Sequence, residues 1–157
     1  MTRLTILLTL ACLPFAAMAD PTAEAAAAVE AWTARFQAAV DAEDAAAVAA
    51  LYAEDADVLW VYEGEEAHGR PAIEALFARV IAEYPGTTAT STTRSVHALG
   101  DGAVAIHEVL EIRWRGPDGS EQMEINRGSS VYRPTADGLE CVIDHTSIPI
   151  RWVPPAT

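Results

Sequence analysis

The sequence contains no lysine: all 10 basic residues among its 157 are arginine, against 23 aspartate and glutamate residues. Without a lysine amine, Schiff-base chemistry and a lysine general base are both excluded. The formal net charge of −13 repels phosphate backbones and anionic lipid headgroups. We therefore expect neither nucleic acid nor a membrane surface as a partner.

The sequence also lacks an apolar run long enough to span a bilayer. Its longest apolar stretch is residues 4–15, preceded by Arg3 and followed by Ala17-Met18-Ala19, the small-x-small pattern that signal peptidase cleaves. We expect residues 1–19 to be a signal peptide cut after Ala19. Residues 20–157 then form a single domain that is periplasmic or secreted.

Cysteine is scarce as well, with Cys12 inside the expected signal peptide and Cys141 beyond it. A lipid anchor on Cys12 is the alternative to cleavage, although the preceding Thr9-Leu10-Ala11 is a poor anchor motif. A lone Cys141 excludes an intrachain disulfide and a thiolate metal cluster, and is most simply a buried small hydrophobic residue. The histidines have no metal-ligand spacing, so we predict neither metal nor cofactor; they are His68, His97, His107 and His145.

The first half of the chain has helical periodicity. Asp20-Pro21 starts a first helix, and Asp44 caps a second that carries Val48, Leu51 and Tyr52 and is broken by Asp55-Ala56-Asp57. The remaining elements predicted here are a strand over Val58–Tyr62, a short returning strand at Ala67-His68, and a third helix from Pro71 to Pro85-Gly86.

The second half has the period of strands, separated by glycine-rich turns at Gly100-Asp101-Gly102 and at residues 116–119. Helices followed by antiparallel strands indicate an α+β fold. We predict a cone-shaped, curved antiparallel sheet wrapped around an N-terminal helical layer, with a small-molecule pocket at its open end. The strands are residues 87–99, 103–115, 121–133 and 139–148.

Three stretches resemble a known superfamily: Asp44–Trp60, His68–Ile73 and Asp144–Pro149. On these stretches the chain resembles the nuclear-transport-factor-2-like (NTF2-like) superfamily, in its SnoaL-like or ketosteroid-isomerase-like branch. The last stretch is similar to a subgroup that includes the association domain of calcium/calmodulin-dependent kinase, although Leu139 stands where that subgroup often has tryptophan. The resemblance implies the cone fold, but the superfamily hosts isomerases, cyclases, dehydratases, epoxide hydrolases and assembly domains. It therefore fixes no reaction.

Glu108 is the first candidate catalytic residue. Alternation along its strand places it on one side with apolar residues such as Ile106 and Leu110. A carboxylate on an apolar stripe is costly to bury without compensation. Alternatively, Glu108 lies where the sheet meets water or pairs with a buried arginine.

The resemblance to the kinase association domain implies that Thr146 and Ser130 face the pocket. Alternation then brings Asp144 inward as the second candidate catalytic residue, and adds Asn126 and Tyr132. Cys141 falls on the opposite face with Ile143 and His145. The association domain has arginine at the positions of Ser130 and Thr146, so a pocket built to hold a carboxylate is not carried over.

Trp60 and Tyr62 alternate along the first predicted strand, and both are candidate ligand-binding residues at the pocket mouth, with a place in the core as the alternative. His68 is most simply a surface residue. If the protein is an enzyme, Glu108 or Asp144 acts as a base while Tyr62 or Tyr132 donates to a developing oxyanion.

These residues predict an exported SnoaL-like pocket protein that binds a small organic molecule and isomerises it or eliminates from it by carboxylate acid–base chemistry. The alternative is a non-catalytic ligand-binding or dimeric assembly domain of the periplasm. Its outer sheet face would carry apolar residues that suit a homodimer. We assign Met123, Ile125, Val131, Cys141 and Ile143 to this outer face.

Overall fold

The computed structural model describes residues 20–60 and 65–148. The predicted signal peptide and Tyr62 lie outside these ranges. Within them, no helix has the length and apolar character needed to cross a membrane.

The first two of three helices carry the side-chain caps expected from the sequence, and the third has a proline in its first turn instead. The Asp20 carboxylate accepts the backbone N–H of Thr22 at 2.9 Å, and the Asp44 carboxylate accepts that of Ala47 at 2.9 Å, so each satisfies an otherwise unpaired donor of a first turn. The helices are α1 (Pro21–Asp41), α2 (Ala45–Ala49) and α3 (Arg70–Glu83).

Six strands form one sheet in the order β2-β1-β6-β5-β4-β3. The predicted α+β cone is confirmed, but the sheet is mixed because β1 pairs with β6 in parallel. A long connection through α3 and four strands lets the chain return in the same direction. The strands are β1 (Tyr52–Leu59), β2 (Glu66–His68), β3 (Thr88–Gly100), β4 (Ala103–Arg115), β5 (Glu121–Thr135) and β6 (Gly138–Ser147).

The predicted second helix is too long. The observed helix α2 ends at Ala49, and β1 begins at Tyr52. Asp55-Ala56-Asp57 therefore lies inside a strand instead of breaking a helix. Ala56 is buried while both aspartates point to solvent, which is strand alternation. Pairing with β2 and β6 therefore overrides the helix propensity of this alanine-rich segment.

The predicted outward position of Cys141 is wrong. Cys141 pairs with Tyr132 but Ile143 pairs with the adjacent Val131, so β6 carries one extra residue, a β-bulge. The bulge turns Cys141 into the core, where it is fully buried. Ile143 stays outside and Asp144 faces inward, as predicted.

The core lies between the helices and the inner face of the sheet. Trp32 of α1 is its centre: the ring packs edge-on against Tyr132 at 4.9 Å and Tyr52 at 6.0 Å between centroids. The indole Nε1 donates to the Leu51 carbonyl at 3.1 Å. Val104 and Ile106 of β4 are buried on this face, which confirms the predicted inward side of that strand.

Candidate functional site

A cavity of about 140 Å³ opens between α1, α3 and the inner face of the sheet. Its wall is mostly apolar and includes eight aromatic side chains, and a group of polar side chains meets at the sheet. The aromatic lining residues are Trp32, Phe36, Tyr52, Trp60, Phe77, Tyr84, Trp114 and Tyr132. The polar residues on the sheet are Ser91, Glu108, Asn126, Ser130, Asp144 and Thr146.

Asp144 enters the cavity from β6 and accepts two hydrogen bonds. The Tyr52 hydroxyl donates to Oδ2 at 2.8 Å, and the Ser130 hydroxyl donates to Oδ1 at 3.1 Å. Burial raises the pKa of Asp144 above its ordinary value, and these two hydrogen bonds partly oppose the rise because they favour the charged form. Asp144 is thus a carboxyl group held in a fixed orientation.

Glu108 enters the same cavity from β4. Its Oε2 accepts a hydrogen bond from the Ser91 hydroxyl of β3, so its partner is a hydroxyl and not the arginine that the sequence left open. Burial raises the pKa of Glu108, the hydrogen bond from Ser91 opposes the rise, and the neighbouring Asp144 charge adds to it. Two carboxyl groups that influence each other electrostatically therefore share one apolar cavity.

Gly128 makes room for Glu108. The two residues are paired across β4 and β5, and a Cβ atom at Gly128 would lie 2.8 Å from both Cγ and Oε1 of Glu108. A glycine inside a strand indicates such a close approach, and this was the signal available in the sequence. Gly128 is not among the site residues predicted from the sequence.

Tyr52 was also missed, because the sequence placed it in a helix. It is fully buried, and burial together with Asp144 holds the pKa of its hydroxyl well above the ordinary value, so it stays a donor. Burial likewise raises the pKa of Tyr132. Arg70 fixes the Tyr52 backbone, donating from Nε at 3.1 Å and from Nη2 at 2.8 Å to its carbonyl.

Asn126 gives the site a buried acceptor that is not used. Its side chain is 1% exposed and lines the cavity from β5. Within the described ranges, Oδ1 is buried without a hydrogen-bond partner. Ser130 is equally buried, but its hydroxyl is engaged by Asp144.

The exposed part of the cavity wall is acidic. Glu43, Glu65 and Glu83 lie there, and Arg79 forms an ion pair with Glu65. Among the described residues that line the cavity, Arg79 is the only lysine, arginine or histidine.

The structure thus brings all but one of the predicted site residues to a single cavity. Tyr62 lies outside the described residues, and the chemical roles of the others stay predictions. They are Glu108, Asp144, Trp60, Asn126, Ser130, Tyr132 and Thr146.

The histidines lie elsewhere. His68 is exposed and bonds Asp57 at 2.7 Å, which raises the pKa of its ring, and His107 meets Ser129 at 2.9 Å, exposed on the outside of the sheet. In the described part of the chain, no group of three or more His, Cys, Asp or Glu side chains could hold a metal ion.

Solved structures share this architecture. A candidate calcium/calmodulin-dependent protein kinase II association domain from Xanthomonas campestris is 23% identical, with a TM-score of 0.70 over 90% of this chain and 95% of that chain. A candidate dehydratase of the NTF2-like family from Streptomyces avermitilis is 17% identical, with a TM-score of 0.73 over 82% and 99%. The Aln2 protein from a Streptomyces species is 18% identical, with a TM-score of 0.69 over 80% and 91%.

At these identities the likeness establishes the fold alone. A curved sheet covered on one side by helices, with a cavity at its open end, is the NTF2-like fold. No curated protein matches the sequence. The SnoaL-like domain family matches residues 29–151, and the chain belongs to that family.

Proposed function

We propose that this chain binds a small organic molecule in its cavity and moves a proton on it, as an isomerase or a lyase, with Glu108 as the base. One observation carries the proposal: Glu108 and Asp144 are carboxyl groups of raised pKa in a cavity walled by aromatic rings. A carboxyl group in such surroundings exchanges a proton near neutral pH more readily than an ordinary one. No cofactor is needed for this chemistry.

The two carboxyl groups differ in how they are held. Asp144 accepts hydrogen bonds from Tyr52 and Ser130, so its oxygens are occupied by protein donors. Glu108 accepts from Ser91 through Oε2. Glu108 is the less deeply buried of the two carboxyl groups, so we assign it as the base, and Asp144 acts on it through its charge.

The proposed reaction begins at a carbon next to a carbonyl group. Glu108 removes a proton, the C–H electron pair moves towards the carbonyl oxygen, and the Tyr132 hydroxyl, kept protonated by burial, donates to the developing oxyanion. Return of the proton to a different carbon completes an isomerisation. Departure of a leaving group from the neighbouring carbon completes an elimination, and neither outcome needs an oxidant.

The test uses a single-ring β,γ-unsaturated ketone, 3-cyclohexenone, whose isomerisation to the conjugated ketone is followed by ultraviolet absorbance. We expect the wild type to accelerate this reaction and Glu108→Gln to lose at least about a hundredfold, the lower range for general acid–base catalysis. Asp144→Asn should weaken the reaction less. Glu111→Gln, on the outer face of the same strand, is the matched control and should retain the rate. Equal rates for the wild type and Glu108→Gln would remove the proposal.

The competing function is ligand binding or assembly without catalysis. Its support is the outer sheet face, where Met123, Ile125 and Ile143 are 52%, 42% and 49% exposed. Exposed apolar side chains on neighbouring strands suit a partner, and we propose a homodimer through this face in either version of the function. Export to the periplasm or medium is likewise our proposal, and its support is the N-terminal sequence.

A further inference from the structure

We propose that Asn126 is a specificity-determining residue whose carbonyl oxygen receives a hydroxyl or amino group of the ligand. The substrate is then an uncharged, ring-sized carbonyl compound that carries a hydrogen-bond donor. This inference rests on the proposed function, because it assigns the substrate class of the same cavity.

The first support is the unused acceptor. Asn126 lies on β5 two residues from Gly128, on the same inner face as Ser130, and its Oδ1 is buried without a partner in the part of the chain described. A buried acceptor without a hydrogen bond costs about 1–3 kcal/mol. A folded protein tolerates this cost when a ligand or an ordered water donates a hydrogen bond to the acceptor.

The second support is the selectivity that such a group confers. A cavity that presents a buried acceptor rejects an analogue without a donor, because the acceptor then stays unpaired. Glu108 and Asp144 already accept from protein hydroxyls. Among the described residues that line the cavity, Asn126 is the one with a buried acceptor that no protein donor reaches. The Asn126 oxygen therefore accepts the hydrogen bond from the ligand's donor group, whereas the reacting carbonyl is bound by the Tyr132 hydroxyl.

The third support is charge. Five acidic side chains line the cavity, and Arg79, the only cationic residue among the described lining, is already paired with Glu65. A carboxylate or phosphate in the ligand would lie near these acids with no described cation free to compensate it. The acidic residues are Glu43, Glu65, Glu83, Glu108 and Asp144.

The size of the cavity agrees with this class. A volume of about 140 Å³ is close to that of an engineered apolar cavity of about 150 Å³ that binds benzene. Trp60 and Trp114 contribute flat apolar surface on its wall, which suits a ring. One ring with a carbonyl and one donor fills the space and uses the polar groups present.

The experiment measures binding of three single-ring ketones to the intact chain by calorimetry at pH 6. The probes are 4-hydroxyacetophenone, its methyl ether 4-methoxyacetophenone, and the anion 4-acetylbenzoate. We expect the hydroxyl compound to bind at least about tenfold more tightly than the methyl ether, and the anion to bind most weakly. Equal binding of the hydroxyl compound and the methyl ether would overturn the proposal, as would preferred binding of the anion.

Variants separate Asn126 from the rest of the cavity. Asn126→Leu should abolish the preference for the hydroxyl compound over the methyl ether, and Asn126→Asp, which keeps an acceptor oxygen in either protonation state, should preserve it. Gln122→Leu makes the same amide-to-leucine change at an exposed position of β5 and should leave the preference unchanged. If Asn126→Leu unfolds, the Asn126→Asp result still decides. Loss of the preference in Asn126→Asp would show that the amide nitrogen, and not the oxygen, reads the ligand.

The two proposals fail in different ways. An unchanged preference in Asn126→Leu would overturn this inference while Glu108→Gln still lost its isomerase activity. Isomerase activity that survives in Glu108→Gln would remove the catalytic proposal while the binding preference stood.

Discussion

At the scale of single residues, the site consists of two carboxyl groups and the hydroxyl groups that hold them. Tyr52 and Ser130 orient Asp144, and Ser91 orients Glu108. Each hydroxyl donates to a carboxylate oxygen and so favours its charged form, whereas burial favours the neutral form. For both acids burial is the larger effect, and the pKa is raised.

These raised pKa values predict how stability depends on pH. Between the ordinary pKa of a carboxyl group and its higher value in the folded state, the folded protein binds more protons than the unfolded chain. The stabilising contribution of each acid is therefore greatest at low pH and is lost as the pH rises through the folded pKa.

We expect thermal unfolding of Glu108→Gln to show a smaller fall in Tm between pH 5 and pH 8 than the wild type. Glu111→Gln, whose carboxyl lies on the outer face of β4, should follow the wild type. Exposed acids of lowered pKa, such as Asp55 and Asp118, act in the opposite direction, but they are the same in every variant. Parallel curves of Tm against pH for Glu108→Gln and the wild type would contradict the raised pKa of Glu108.

At the scale of secondary-structure elements, the site depends on how closely strands approach one another. The Glu108 side chain lies over Gly128 of the adjacent strand, where a Cβ atom does not fit. The β-bulge in β6 turns Asp144 inward after Cys141. Arg70, at the start of α3, holds the first residue of β1 through the Tyr52 carbonyl. Several elements are thus joined around two carboxyl groups.

We expect Gly128→Ala to displace Glu108 and to cost about 1–3 kcal/mol of unfolding free energy, the usual cost of overpacking. Isomerase activity should also fall, because Glu108 is displaced from its position in the cavity. The double variant Glu108→Ala/Gly128→Ala should recover most of the stability lost in Gly128→Ala, because the two nearest atoms, Cγ and Oε1 of Glu108, are gone. Denaturant unfolding of the two single variants and the double variant measures this coupling. Strictly additive losses would show that the cost arises elsewhere.

At the scale of the whole molecule, one face of the sheet is covered by helices and the other carries exposed apolar side chains. Ile143 and Ile125 belong to this outer face, and the bulge that brings Asp144 inward leaves Ile143 outside. Catalytic and partner-binding surfaces would therefore lie back to back on the same strands.

Native mass spectrometry of the protein expressed with its full N-terminal sequence tests both whole-molecule proposals at once. We expect a dimer of chains that begin at Asp20. Ile143→Glu should convert the dimer to a monomer, and Thr92→Glu, at an exposed position of β3, should leave it intact. A wild-type monomer would contradict the interface, and a chain that keeps Met1 and residues 2–19 would contradict cleavage.

Short-range sequence patterns encode the boundaries of the elements and the face on which a strand residue lies. Capping residues at Asp20 and Asp44 and the glycine turn at residues 100–102 mark where elements begin and end. Alternation along β4 identified Glu108 as a carboxyl group on an apolar face. The resemblance added the register of the last two strands and so the inward position of Asp144.

Features that depend on residues distant in the chain form only when the strands pack together. The segment from Leu51 to Asp57 has the composition of a helix, and pairing with β2 and β6 makes it a strand. That change brings Tyr52 to Asp144, 92 positions away in the chain. The bulge at Cys141, the space at Gly128 and the unused acceptor of Asn126 likewise arise from packing between strands, since no local pattern specifies which atoms will meet across a sheet.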